Sequence, residues 1–294
     1  MDVMEFGPRV VKVSTVKRGL GHEMRAVKVV MHRDLLKYRT DTYRMVSLLV
    51  QPVLYLFVLG AGLSAVVSGG AASSSQDQVD FKIIVFPGAM VLSVMFTAMF
   101  SAGGIVWDRE VGFFREMLVA PVSRTSIVCG KILGGAVVAV LQGGVVLACA
   151  GLAGLPYDPV MLGSLLAELS IGAFAVSAFG TMLAAHVKGT QTFFGIVQLV
   201  MMPMLFLSGA WYPLAGLPGW LAALARLSPL TYVVDPLRQT VFDQVTMTAA
   251  QESRLDPGVT WFGRRLPVAL ELALVGTAGL VMLAMAVRRF RRTD

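Results

Sequence analysis

Charge is scarce in this 294-residue chain: 15% of its residues are Asp, Glu, Lys or Arg, while 56% are hydrophobic. An ordinary soluble domain carries roughly 25% charged residues, so the deficit excludes a conventional water-facing surface. The apolar residues come in runs of about 20, the length that crosses ~30 Å of hydrocarbon at 1.5 Å per residue. Cysteine is nearly absent; Cys129 and Cys149 fall in one apolar run, about 30 Å apart on a single helix, and cannot bridge each other. The phosphate-cradling pattern G-x-x-x-x-G-K-[ST] is missing. Gly130-Lys131 has Thr125 where the first Gly belongs and Ile132 after it, so ATP hydrolysis by that route is not expected of this chain. His22, His32 and His186 are too scattered to hold a metal, and no nucleophile–base arrangement is visible. A cleavable signal peptide is not expected either, because charges run from Asp2 to Arg44 before any apolar run.

What is present is six apolar runs, at roughly 45–67, 82–106, 128–154, 160–185, 192–211 and 266–287. The fold class that follows is all-α: a polytopic membrane protein with a segment 1–44 ahead of a six-span domain, 45–294. The net charge of +7 does not point to nucleic acid, because the cations gather at the ends of the runs and on one side of them. Nineteen of the 25 Lys and Arg lie in 1–44, 107–131, 186–191 and 288–294, one alternating set of connections; the other set holds Lys82, Arg226, Arg238, Arg254, Arg264 and Arg265. The positive-inside rule then puts both termini in the cytoplasm of a multi-pass plasma-membrane protein.

Before the first span, Met24, Val27, Met31, Leu35 and Tyr38 recur at spacings of three and four, with Arg25, Lys28, His32 and Arg39 on other faces. That pattern predicts an amphipathic helix, lying on the inner leaflet with its cations toward lipid headgroups or packed on another protein. Residues 68–80, rich in Gly and Ser, read as a flexible outer loop. Between the second and third runs lies Asp108-Arg-Glu-Val-Gly-Phe-Phe-Arg-Glu-Met-Leu-Val-Ala-Pro-Val-Ser-Arg124. Val111, Phe114 and Leu118, flanked by Phe113 and Met117, make an apolar helical face that Pro121 ends. Lipid, the rest of the chain or a groove on a partner would cover it. In the 212–265 segment, Leu217 to Arg226 is too short to cross the bilayer, Pro229 breaks it, and Thr231 to Phe242 suits a second short helix. Such a re-entrant pair before the last span must be buried in protein or line water.

The 108–124 pattern resembles the cytoplasmic loop of type-2 ABC exporter permeases, the daunorubicin-resistance and nodulation-export branches in particular. The resemblance extends to Phe86-Pro-Gly88, Leu207-Ser-Gly-Ala-Trp-Tyr-Pro213 and Leu227-Ser-Pro-Leu-Thr-Tyr-Val-Val-Asp-Pro-Leu-Arg238, and with the six-span layout it covers nearly the whole chain. It implies that 108–124 carries a coupling helix docking on a separate ABC ATPase subunit, with Asp108, Arg109, Glu110, Gly112, Phe113, Phe114, Arg115, Glu116 and Leu118 as the docking residues. It also implies a homodimer, with ATP and Mg bound by the partner subunit and no cofactor on this chain. The cargo implied is an amphipathic drug or lipid-like molecule moved outward; a polysaccharide or lipid-linked glycan exporter has the same architecture.

Inside the spans, Glu168 and Glu271 are the ionisable residues that stand out. Glu271 is expected at the interface near Arg264 and Arg265, and Glu168 in a helix–helix hydrogen bond or on a substrate path with Phe96, Phe100 and Phe206. Two acids without a cation make no proton relay, and no inverted repeat is visible, which weighs against an ATP-independent secondary transporter. Gln142, Gln191 and Gln198 read as interhelical hydrogen-bonding groups, and Gly134, Gly135, Gly143 and Gly144 as points of close helix approach.

Overall fold

The computed structural model describes residues 19–60, 62, 81–112, 122–212, 217–245, 258–261 and 264–292. Among these, six helices are long and apolar enough to cross a membrane, and β structure is confined to one two-residue hairpin, Thr260–Trp261 against Arg264–Arg265. In chain order the helices are α1 (Leu20–Thr40), α2 (Thr42–Leu54, continued by a π turn over Tyr55–Leu59), α3 (Phe81–Glu110) and α4 (Arg124–Ala148). After them come α5 (Pro159–His186), α6 (Thr190–Leu207), the short α7 (Gly219–Leu227) and α8 (Thr231–Phe242), and α9 (Val268–Arg292). The spans are α2 to α6 and α9. The expected outer loop at 68–80 and the face formed by Phe113, Phe114, Met117 and Leu118 lie outside the described residues.

Local chemistry sets the helix ends. Gly112, at φ +78°, stops α3 in the left-handed conformation that costs a residue without Cβ nothing. Ser123 caps α4 by accepting from Ser126 N at 3.1 Å, and Asp158 caps α5 by accepting from Met161 N at 3.1 Å, with Pro159 at the first helical position. The third span ends earlier than hydropathy suggests. A 3₁₀ turn at Ala150–Ala153 and Gly154 at φ +86° break it, although the residues stay apolar through Leu155. In α2, Pro52 removes one backbone donor and the π turn follows directly.

α3 is the axis. Its apolar residues cover every side, and it is buried nearly all round between α4, α5, α6, α8 and the first span. α9 packs chiefly on α5, and α1 on α4. α2, α6 and α9 leave broad apolar faces open, including Val46, Val50, Leu54 and Val58 on α2 and Leu199 and Phe206 on α6.

Close approaches explain three motifs. A Cβ at Gly88 would sit 2.0 Å from the Ala210 carbonyl oxygen, so Phe86-Pro-Gly88 and the 207–212 stretch meet across the bundle. Val233 of α8 fills the space a Cβ at Gly172 of α5 would need. Gly143 gives way to Leu169 and Val94, Gly134 to α1 and Gly135 to Ser101, whereas Gly144 faces open space and makes no helix contact of the kind expected.

α8 is buried along ten of its twelve residues. Arg238 donates to the Gly209 carbonyl, Asp235 accepts from Val259 N at 3.0 Å, and Trp261 Nε1 donates to Tyr232 Oη at 3.0 Å. The Leu227–Arg238 motif thereby ties the short helices to the 207–212 stretch and the hairpin.

Candidate functional site

The site grows from the ends of α1, α3, α4, α5, α6 and α9, which meet at one end of the bundle. Asp108, on the last turn of α3, is 3% exposed. Its carboxylate accepts from Arg33 Nη2 at 3.2 and 3.3 Å, Lys37 Nζ at 3.4 Å and Lys131 Nζ at 3.2 Å. Lys131, also buried, bridges onward to Asp34 Oδ1 at 3.0 Å. Three helices are thus joined through five charges. A buried charge persists only when paired and hydrogen-bonded, and Lys131 meets that condition with two carboxylates. Lys131 therefore joins Glu168 and Glu271 as a buried ionisable group within a span. Asp34 shares the α1 face that carries Met31 and Tyr38, so part of the amphipathic stripe is spent on α4 rather than on lipid: a Cβ at Gly130 would strike Val30, and one at Gly134 would meet Asp34 and Met31.

The neighbours of Asp108 also turn inward. Arg109 donates to the Val187 carbonyl at 3.2 Å, and its guanidinium lies 5.5 Å from the Phe290 ring centroid. Glu110 accepts from Thr190 N at 2.9 Å and from the Thr190 hydroxyl; it supplies the cap that Gly189, at the N-cap of α6, cannot. Gly112 ends the helix. Phe113, Phe114, Arg115, Glu116 and Leu118 lie outside the described residues. Asp108, Arg109 and Glu110 thus each make contacts within the chain, with Asp108 buried and Glu110 exposed.

The far root of the same segment is held as firmly. Ser123 donates from its hydroxyl to Glu23 Oε2 at 2.6 Å and from its amide at 3.2 Å, and Ser126 donates to the same oxygen. These hydrogen bonds, the Ser123 hydroxyl first, hold the Glu23 carboxyl below its ordinary pKa. Arg124 donates to the Phe290 carbonyl at 3.0 Å. The described residues on either side of 113–121 are therefore both anchored, and their contacts reach α1, α4, α5, α6 and α9.

Sequence reasoning gathered four residues into a path, and the structure scatters them. Phe100 lines a cavity of about 600 Å³ between the α1–α2 junction and α3, and its ring centroid lies 4.9 Å from that of Phe194. Phe96 packs against the core. Glu168 is buried and accepts from Thr240 Oγ1 at 2.7 Å, the helix–helix hydrogen bond expected of it. Phe206 is exposed on α6. Glu271 is fully buried, in the first turn of α9 just after the hairpin that carries Arg264 and Arg265. Gln142 does join helices, accepting from Tyr38 Oη and donating to the Met45 carbonyl at 3.0 Å; Gln191 and Gln198 are exposed on α6.

Residues 25–242 match the ABC-2 type transporter family along most of the chain. The chain belongs to that family. Nodulation protein J of Rhizobium leguminosarum bv. viciae is 30% identical over 198 residues, covering 67% of this chain and 74% of its own length. The transport permease ycf38 of Cyanophora paradoxa is 25% identical over 214 residues, 71% and 72% of the two chains. A probable multidrug ABC transporter permease, YbhR, of Escherichia coli (strain K12) is 27% identical over 165 residues, 55% of this chain and 44% of that one. An ABC-2 permease is the membrane component of a transporter, and membership implies an ATPase subunit as its partner. The buried Asp108–Lys131–Asp34 cluster escaped sequence reading because its members are 23 and 97 residues apart. The available signals were a carboxylate, Asp34, on the apolar stripe of α1 and a lysine, Lys131, inside the apolar run 128–154.

Proposed function

We propose that this permease exports an amphipathic drug or lipid-like molecule, driven by a separate ATPase that binds ATP and Mg and docks on the loop 108–124. The observation that carries the reading is the double anchoring of that segment. A push on it is delivered through Asp108, Arg109 and Glu110 at one root and through Ser123 and Arg124 at the other, and reaches five helices at once. The cargo class rests on the cavity at Phe100, where Leu48, Trp107 and Phe194 share the walls with charged side chains, and on the multidrug name of one relative. A lipid-linked glycan has the same amphipathic logic and is the alternative cargo. Two copies would bury the open faces of α2 and α6 against each other, and both termini would lie in the cytoplasm with α1 at the inner leaflet, following the bias of Lys and Arg.

Co-purification with candidate ATPases from detergent tests the docking claim. The wild-type chain retains its ATPase, while Phe114→Asp and Glu116→Arg lose it with unchanged elution and melting. If every ATPase fails to bind the folded wild type, or if both variants still hold it, the docking assignment is wrong.

A further inference from the structure

The last turn of α9 is unusual for a helix end. Residues 288–292 read Arg-Arg-Phe-Arg-Arg, a run suited to water, yet Phe290 in its middle is 4% exposed. Both roots of the 108–124 loop close on that residue. From the α3 side, Arg109 places its guanidinium 5.5 Å from the Phe290 ring centroid while donating to the Val187 carbonyl at 3.2 Å, so one cation holds the ring against the chain just past α5. From the α4 side, Arg124 donates to the Phe290 carbonyl at 3.0 Å. That carbonyl belongs to the final four of α9, which have no donor within the helix, and a cation there also meets the negative end of the helix dipole. Arg291 answers by donating to Thr125 Oγ1 at 3.1 Å. α1 also meets both roots, but at separate turns, Glu23 for one and Arg33 with Lys37 for the other; α9 is held from both sides at a single residue. From Phe290 the helix runs back about 22 Å to Val275, which shares an apolar cleft with Leu230 and Val233 of α8. α9 therefore connects the loop at one end of the bundle with the short helices at the other.

We infer that Phe290 is a positioning residue for energy coupling: its ring and its carbonyl are held by opposite roots of the loop, so a displacement of the loop carries α9 with it, and α9 carries α8. The inference rests on the reading that an ATPase docks on the loop. A helix packed along α5 moves as a rigid rod, which is how a short shift at one end is delivered at the other. The ring does what an aliphatic side chain of similar bulk cannot, since only a π face attracts the Arg109 guanidinium. The packing role and the coupling role of Phe290 are thereby separable by substitution.

The full chain with its co-purified ATPase, in lipid nanodiscs, is compared by mass-detected amide exchange without nucleotide and after trapping with ATP and vanadate. In the wild type, trapping is expected to change exchange in α8 and in the half of α9 nearest it. Phe290→Leu keeps an apolar side chain and loses the π face; it should retain the ATPase while the trapping-induced ratio of exchange rates in α8 falls by about twofold or more, the lower end of what single residues of a coupling network carry. Phe290→Tyr keeps the face and should stay close to the wild-type ratio, a rescue that a loss of packing alone would not show. Arg124→Gln releases the other root without touching α9 and should also reduce the ratio; it decides if Phe290→Leu does not fold. No trapping-induced change in α8 and α9 of the wild type, a full wild-type ratio in both Phe290→Leu and Arg124→Gln, or a loss in Phe290→Tyr equal to that in Phe290→Leu overturns the proposal while leaving ATPase docking intact. An ATPase that never binds the folded wild type overturns the docking reading and, with it, the coupling role.

Discussion

Replacing Lys131 with methionine keeps the volume and deletes the charge that two buried carboxylates share. Asp108 retains Arg33 and Lys37, but Asp34 loses its sole ion-pair partner among the described residues while 8% exposed. Breaking a buried pair from one side costs about 3–5 kcal/mol, because the orphaned charge keeps its desolvation penalty. Lys37→Met should cost about 1 kcal/mol or less, since Lys37 is more than half exposed, bonds at 3.4 Å, and leaves Asp108 two other cations. At roughly 2–4 °C per kcal/mol for a chain of this size, Lys131→Met lowers the melting midpoint by about 6–20 °C and Lys37→Met by about 4 °C or less. Adding Asp34→Asn to Lys131→Met removes the orphan and should recover part of the loss, a coupling a double-mutant cycle reads directly. Intrinsic fluorescence during a thermal ramp in detergent supplies every midpoint. Equal midpoints for Lys131→Met and Lys37→Met, or a double variant whose loss is the plain sum of the singles, would falsify the claim that the cluster is a buried, mutually dependent unit.

Three further outcomes follow from contacts elsewhere. Gly88→Ala forces a Cβ to within 2.0 Å of the Ala210 carbonyl oxygen and should destabilise by about 1–3 kcal/mol; Gly144→Ala meets nothing within 4 Å and should be neutral or gain up to about 1 kcal/mol, so matching midpoints would discredit the close approach. The Glu23 carboxyl binds its proton more weakly in the fold than in the unfolded chain, so the Glu23–Ser123 clamp is complete above the ordinary carboxylate range and fades as pH falls through the lowered folded value. The difference in melting midpoint between wild type and Glu23→Gln should therefore be present at pH 7 and shrink below about pH 4; a difference that does not change with pH would contradict the clamp. Thr190→Val removes one donor to Glu110 and should speed amide exchange in the first turn of α6 while leaving α5 unchanged, as mass-detected hydrogen exchange would show.

Hydropathy alone places the six spans because each must be apolar over the same length whatever it later packs against. What it misses is where an apolar stretch stops being helical: nothing in the composition of Ala150 to Leu155 announces the turn that Gly154 closes, so the third span reads about six residues too long. The contacts of the charged residues at the end of α3 are hidden in the sequence for a related reason. Asp108, Arg109 and Glu110 look the same in sequence whether they face water, a partner or their own chain, and only the positions of Lys131, Val187 and Thr190 decide. Glu168 was legible because a carboxylate among apolar neighbours has few options, and its bond to Thr240 is one of them. Phe206 was not, since an aromatic ring in a span is equally at home in lipid, in a core or along a passage.

The burial of α3 bears on how such a chain reaches the membrane at all. Of the six spans it has the highest mean hydropathy, 2.2, and the deepest burial, yet it is the second to leave the ribosome. The helices α4, α5, α6 and α8 that will enclose it are still unmade at that point. For that interval its neighbours are the first span and lipid, and most of its side chains must suit acyl chains first and protein later. The carboxylate at its end has Arg33 and Lys37 ahead of it in the chain, but Lys131 arrives only 23 residues afterwards, so synthesis of α4 both completes the ion cluster and begins to replace lipid around α3.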